Sequence, residues 1–181
     1  DTKPYITIFF FIFLFSQFKR MALVDLSRQV ALGIDIGGTN TKFGLVNHRG
    51  EILAKGSIKT EDYKQVEDFI DALHTNIQPL IDEVSQNTRL DGIGVGAPNA
   101  NYFTGTIELA PNLPWKGVVP FAELMTKKFG VPCKMTNDAN AAALGEMMFG
   151  AARGMKDFIM ITLGTGVGSG IVASGSLIYG H

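Results

Sequence analysis

A single cysteine, Cys133, is all the thiol chemistry that this 181-residue chain offers. It excludes an internal disulfide, supplies no cysteine-based zinc site and fits a reducing compartment, so the expected location is cytoplasmic. Charge of one sign is lacking too. With 16 basic against 17 acidic residues, the formal net charge of -1 leaves no electrostatic footprint for nucleic acid or an anionic membrane. Chemistry on a small molecule is the better expectation. A long hydrophobic run is also missing: residues 5–15 are almost wholly apolar but fall short of the about 20 that span a bilayer. Neither leading positive charge nor a small-residue cleavage site marks a secretory signal there. Residues 1–20 are therefore expected to be an upstream translation artefact ahead of a start at Met21, with a weak membrane anchor as the alternative.

What is present is an alternation of strand and helix patterns. Short apolar runs at 30–36, 42–46 and 51–58, separated by tight turns, predict an antiparallel meander. From Val66, apolar residues recur at Phe69, Ile70, Leu73, Ile77, Leu80, Ile81 and Val84, the spacing of one helical face. Thr60 is the expected cap of that helix, and Pro79 is expected to kink it or end it early. A buried strand is predicted at 92–96 and a long loop at 97–117, which is of a length usually tied to function. A short helix at 121–129, a strand at 133–136, an alanine-rich helix at 139–149 and a strand at 158–163 complete the order. The expectation is an α/β chain with βββαβαβα order, an N-terminal lobe at 28–154 and the start of a second, similar lobe at 155–181.

Three constellations carry chemistry. Asp35-Ile36-Gly37-Gly38-Thr39-Asn40-Thr41-Lys42 lies at the turn of the first hairpin, where two glycines let backbone N–H groups point at phosphate oxygens. An acidic residue beside them can orient a nucleotide's magnesium ion, usually through water. Leu163-Gly164-Thr165-Gly166-Val167-Gly168-Ser169-Gly170 repeats the theme between two apolar runs. Glycines at alternate positions weaken a strand, and a sequence tolerates that where backbone must approach a ligand or another element closely. Asn137-Asp138 stands between a strand and a helix, where a carboxylate either caps the helix or faces the ligand crevice of an α/β sheet. Two phosphate-type turns and a strand-end carboxylate are the parts that phosphoryl transfer to an alcohol requires. No G-x-x-x-x-G-K-[ST] occurs, which argues against a P-loop NTPase. Gly92-Ile93-Gly94-Val95-Gly96-Ala97 fits a permissive dinucleotide pattern, but Pro98-Asn99 follows in place of a helix.

Taken in order, residues 35–42, 94–98, Pro111-Asn112-Leu113-Pro114-Trp115, Asn137-Asp138-Ala139-Asn140-Ala141-Ala142 and 163–170 resemble the motifs of the ROK family of sugar kinases and repressors. The resemblance covers nearly all of 30–180 and implies the actin-like ATPase (ribonuclease H-like) fold. It implies ATP-dependent phosphorylation of a hexose, most often glucose, with N-acetylmannosamine, fructose and allose as alternatives. By the same resemblance Asp138 is the catalytic base, and Asn112 and Asn137 bind the sugar with it. Asp35, Gly37, Gly38, Thr39, Asn40, Lys42, Gly164, Thr165, Gly166 and Gly168 hold ATP and Mg2+, Asp35 acting on the metal through water. Carboxylates ionise near about pH 4, far below a sugar hydroxyl, so positioning and charge stabilisation must dominate the chemistry.

The family's sugar-binding Glu-x-x-His and its cysteine-rich zinc motif do not occur before His181, so zinc is expected only in a missing C-terminal part and the chain is read as an inactive N-terminal fragment. Asn99 stands where many relatives carry glycine. The expected partners are a small hexose and, at full length, a second copy of the chain, with neither nucleic acid nor membrane. A repressor of the same family needs a helix-turn-helix module, for which the run from Met21 to Asp35 is too short. A chaperone- or actin-like ATPase without a sugar would not need the 111–115 loop together with Asn137-Asp138.

Overall fold

The computed structural model describes residues 28–85, 88–163 and 166–179; the expectations for residues 1–20, Met21, Gly164 and Thr165 fall outside them. Strands β1 (Gln29–Ile36), β2 (Asn40–Asn47) and β3 (Ile52–Lys59) form the antiparallel meander. Strands β4 (Arg89–Gly96) and β8 (Cys133–Thr136) join parallel to β1, giving one five-stranded mixed sheet in the order β3-β2-β1-β4-β8. The central place of β1 explains its near-continuous burial, since a strand covered on both faces needs an unbroken apolar run. The edge strand β3 instead alternates exposed and half-buried residues.

Helix α1 (Val66–Val84) begins where the apolar period begins, and buries Phe69, Leu73 and Ile77 completely. Two expectations about it are corrected. Its cap position is Gln65, without a side-chain cap bond, while Thr60 is buried and its Oγ1 lies 2.8 Å from Thr41 Oγ1. Of the two effects expected of Pro79, the early end does not occur, since the helix runs on to Val84. The carbonyl it leaves unpaired four residues back belongs to Thr75, which lies on the exposed face with Pro79, so water can satisfy it.

The 97–117 stretch is not a plain loop. With the residues after it, it forms a small antiparallel sheet of β5 (Ala100–Asn101), β6 (Thr106–Glu108) and β7 (Val118–Val119). Strands of two or three residues are too short to display a period, so the sequence reads as loop. Helix α2 (Phe121–Phe129) ends on Gly130, whose φ of 70° is the left-handed cap that glycine favours. Helix α3 (Asp138–Phe149) follows β8 directly. It is alanine-rich all round because it is covered on more than one side, by the main sheet and by a hairpin sheet of β9 (Phe158–Leu163), β10 (Val167–Ala173) and β11 (Ser176–Ile178). Apart from the small sheet, the order is the expected βββαβαβα followed by a hairpin. Among the described residues no helix is long and apolar enough to cross a membrane.

Candidate active site

The parallel strands β1, β4 and β8 end on one side of the main sheet, and a cleft of about 980 Å³ opens there. Such carboxyl ends are where α/β sheets place ligands, because strand-to-helix turns leave backbone groups unpaired. Asp35 and Ile36 at the end of β1, and Gly37 and Gly38 in the turn after it, form one wall. Thr136, Asn137, Asp138 and Asn140 form the floor at the β8–α3 junction, and Gly166 to Ser169 close the far side from the hairpin.

The sequence left open whether Asp138 caps α3 or faces the crevice. The cap is its neighbour Asn137, whose Oδ1 accepts the Asn140 N–H at 2.7 Å. Asp138 is thereby the first helical residue, exposed toward the cleft, with Oδ1 accepting the Ala139 N–H at 2.8 Å. Asn140 is buried beneath them and donates from Nδ2 to Thr136 Oγ1 at 3.3 Å, tying the helix start to the end of β8.

Asn112 reaches the cleft from a loop that is held from behind. Trp115 is buried, donates its indole N–H to the Tyr63 carbonyl at 3.2 Å and packs its ring 4.7 Å from that of Phe69. The Trp in the motif is therefore the loop's anchor. Gly38 sits so close to this loop that a Cβ on it would stand 2.6 Å from the Asn112 carbonyl oxygen. The two motifs, far apart in sequence, are thus packed backbone to backbone at the cleft.

Other expected residues fall elsewhere. Thr39, Asn40 and Lys42 do not line the cleft. Asn40 gives its carbonyl to the Gly37 N–H at 3.0 Å and Thr39 gives its own to the Thr60 N–H at 2.8 Å, so both shape the turn. Lys42 pairs opposite Asp35 in β2 and is exposed. Gly164 and Thr165 lie outside the described residues. Among the glycines of the hairpin, Gly166 has open space where a Cβ would stand, whereas Gly168 and Gly170 are pressed against Ala139 and Ala143 of α3. Gly170 thus answers to helix packing, and Gly168 to both packing and the cleft wall.

Several cleft residues escaped the sequence reading: Asn101, Tyr102, Glu108, Thr162 and Tyr179. Glu108 Oε1 accepts from Thr106 Oγ1 at 2.7 Å, Asn101 Nδ2 at 3.1 Å and Thr104 Oγ1 at 3.3 Å. The Thr106 bond above all holds its carboxyl below the usual range, against a smaller opposing effect of desolvation. For Asn101, Tyr102 and Glu108 the sequence signal was the unusual length of the apparent loop; Thr162 and Tyr179 carried none. Asn99 adopts a φ of 53° and donates to the Glu108 carbonyl at 3.0 Å, so it fills a left-handed position that suits glycine or asparagine. The glycines of 92–97 that fit a dinucleotide pattern belong to β4 in the main sheet. Among the described residues no cluster of three or more His, Cys, Asp or Glu could hold a metal ion.

A mixed sheet with a cleft at its carboxyl ends, flanked by glycines from two hairpins, is the actin-like ATPase arrangement. Residues 31–181 match the ROK family, and the chain belongs to it. It is 39% identical over 155 residues to a glucokinase of Halalkalibacterium halodurans, covering 82% of this chain and 46% of that protein. A ROK family glucokinase from Streptomyces griseus, whose crystal structure holds glucose and AMPPNP, superposes with a TM-score of 0.68 at 36% identity, covering 84% of this chain and 47% of that one. A xylose repressor of Caldicellulosiruptor bescii is 31% identical over 166 residues, which is 90% of this chain and 41% of the repressor. The chain spans less than half the length of these relatives.

Proposed function

We propose that the full-length protein is an ATP-dependent hexose kinase, with glucose its foremost substrate and Asp138 the base that takes the proton from the attacking sugar hydroxyl. The observation that carries this reading is the placement of the Asp138 carboxylate in one cleft with Asn112 and with the Gly37–Gly38 turn. Its backbone anchor at Ala139 fixes one carboxylate oxygen, leaving the other for a substrate hydroxyl. Asn137 spends its side-chain oxygen on the cap, which leaves its Nδ2 to donate to the sugar. A carboxylate acting through geometry in this way supplies proton acceptance at the moment of bond formation, where positioning counts for more than basicity.

The residues present suit magnesium and ATP. Backbone without side chains faces the cleft at Gly37, Gly38 and Gly166, and a carboxylate, Asp35, ends the adjoining strand. These would hold the phosphates and, through water, the metal; when bound, magnesium ATP supplies the phosphoryl group. We also read residues 155–181 as the opening of a second lobe, since β9 to β11 form a sheet separate from the main one.

Release of ADP by the full-length protein with glucose, N-acetylmannosamine, fructose and allose tests the reading, alongside Asp138→Ala. Turnover on one sugar is expected, falling by about 10² or more in the variant; undiminished turnover there would remove Asp138 from its role. Sugar binding without turnover on any sugar would favour a sensor, a reading supported by the repressor relative.

A further inference from the structure

One carboxylate on the cleft wall has no part in the scheme above. Glu108 ends β6, lines the cleft and stands shortly before Asn112, the proposed sugar ligand, in the same segment. Asn99 pins its backbone on both sides: the Glu108 N–H donates to the Asn99 carbonyl at 3.1 Å, and Asn99 Nδ2 donates to the Glu108 carbonyl at 3.0 Å. Leu109, which follows, is exposed yet takes a φ of 49°, a left-handed conformation that a leucine rarely adopts. Strained backbone of this kind persists where the surroundings enforce it, and here it sets the course of the chain between Glu108 and Asn112.

The side chain is fixed as firmly. Three donors, Thr106 Oγ1, Asn101 Nδ2 and Thr104 Oγ1, converge on one of its oxygens, Oε1. Asn101 is itself held, because its Oδ1 accepts the Phe103 N–H at 3.0 Å and the Thr104 N–H at 3.3 Å. Tyr102 beside it stacks on Tyr179, with ring centroids 4.0 Å apart and planes 17° from parallel, which ties this turn to the C-terminal hairpin. Among the described residues nothing donates to the other oxygen, Oε2. A glutamate at a protein surface ordinarily keeps its rotamer freedom, whereas this one is oriented in advance and ionised, with a whole oxygen left over. Such an oxygen accepts charge-assisted bonds, and hydroxyls are the donors that a hexose offers.

We propose that Glu108 is a specificity-determining residue of the sugar site: its Oε2 accepts a hydrogen bond from one hydroxyl of the hexose, and Thr106 is the positioning residue that holds the carboxylate for it. The proposal rests on the sugar-kinase reading above. It is tested by calorimetric titration of glucose, and of each monodeoxyglucose, into the full-length protein and its Glu108→Ala, Glu108→Gln, Thr106→Val and Thr106→Ser variants, with ATP affinity measured on each. Where another hexose binds in place of glucose, that hexose and its deoxy analogues are the probes. Glu108→Ala raises the glucose Kd about tenfold or more, as for one bond to a charged acceptor, and leaves ATP affinity within about twofold. The monodeoxyglucose that lacks the partner hydroxyl binds Glu108→Ala as it binds the unaltered protein, because the contact is already missing from the sugar. Glu108→Gln keeps an oxygen for the three donors and puts an NH2 group in place of Oε2, so it reproduces the loss in smaller measure, about three- to tenfold. Thr106→Val weakens glucose about threefold, and Thr106→Ser restores it. Unaltered glucose affinity in Glu108→Ala overturns the proposal while leaving the sugar reading intact, and so does an equal loss for glucose and every monodeoxyglucose, which marks a structural effect. Loss of ATP affinity with glucose affinity kept assigns Glu108 to the nucleotide and likewise overturns it. An unchanged Kd in Thr106→Val removes Thr106 from its role. Failure of the unaltered protein to bind glucose or any other hexose overturns both readings.

Discussion

Gly170→Ala separates glycines that serve packing from glycines that serve a ligand. A Cβ at Gly170 would stand 2.5 Å from the Ala143 Cβ and 2.7 Å from the Ala139 carbonyl oxygen, where ordinary contact begins at 3.4 Å. Both partners belong to α3, and one is backbone, so no side-chain rotation relieves the clash and the helix must lift from the hairpin. Overpacking of this kind costs about 1–3 kcal/mol, offset by about 0.5–1 kcal/mol for the chain entropy that alanine saves in a strand. The net loss of about 1–2 kcal/mol corresponds to a melting temperature lower by about 2–8 °C in a protein of this size or larger. The proposed base, Asp138, rides on the same helix, so under that proposal kcat/KM for the sugar falls as well, by up to about 10² for a shift near 1 Å. Gly166→Ala is the control: nothing lies within 4 Å of its Cβ position, and melting stays unchanged. Thermal unfolding of the full-length protein reads both variants. If Gly170→Ala melts within about 1 °C of the unaltered protein, the packing assignment is wrong.

Gly38→Ala pushes on the Asn112 carbonyl from 2.6 Å, so it displaces the loop that carries a proposed sugar ligand. The sugar KM should rise at least about tenfold, and an unchanged KM would show that the loop yields freely. Cys133 gives a pH prediction with a definite sign. Burial holds its thiol protonated in the folded chain, so the unfolded chain loses that proton first as pH rises. The stability it contributes is fully present below the thiol range near about pH 8.5 and erodes above it. The urea midpoint should therefore drop from about pH 8 to 10 less steeply in Cys133→Ala than in the unaltered protein, and equal slopes would refute the assignment.

The limits of the sequence reading follow from the range of the interactions involved. Strand β1 and helix α1 were legible because their burial repeats with the local period, residue by residue. The junction at Asn137-Asp138 was legible as a pair, yet which residue capped the helix depended on side-chain directions that no spacing encodes. Thr60 shows the same limit: a threonine near a helix start looks like a cap, but its hydroxyl meets Thr41 across the β2–β3 pairing. The glycines of β10 gave one signal for two physical causes, and only the alanine face of α3, remote in sequence, tells them apart. Tyr102 and Tyr179 lie at opposite ends of the described fold's second half and carry no motif, so their stack exists only once the small sheet and the hairpin stand on either side of the same cleft. Under the proposed function, local motifs announce the groups that would meet a nucleotide, because phosphate binding needs contiguous backbone N–H groups. Cleft residues such as Asn101, Tyr102 and Tyr179 are gathered from separate elements, where no contiguous pattern can form.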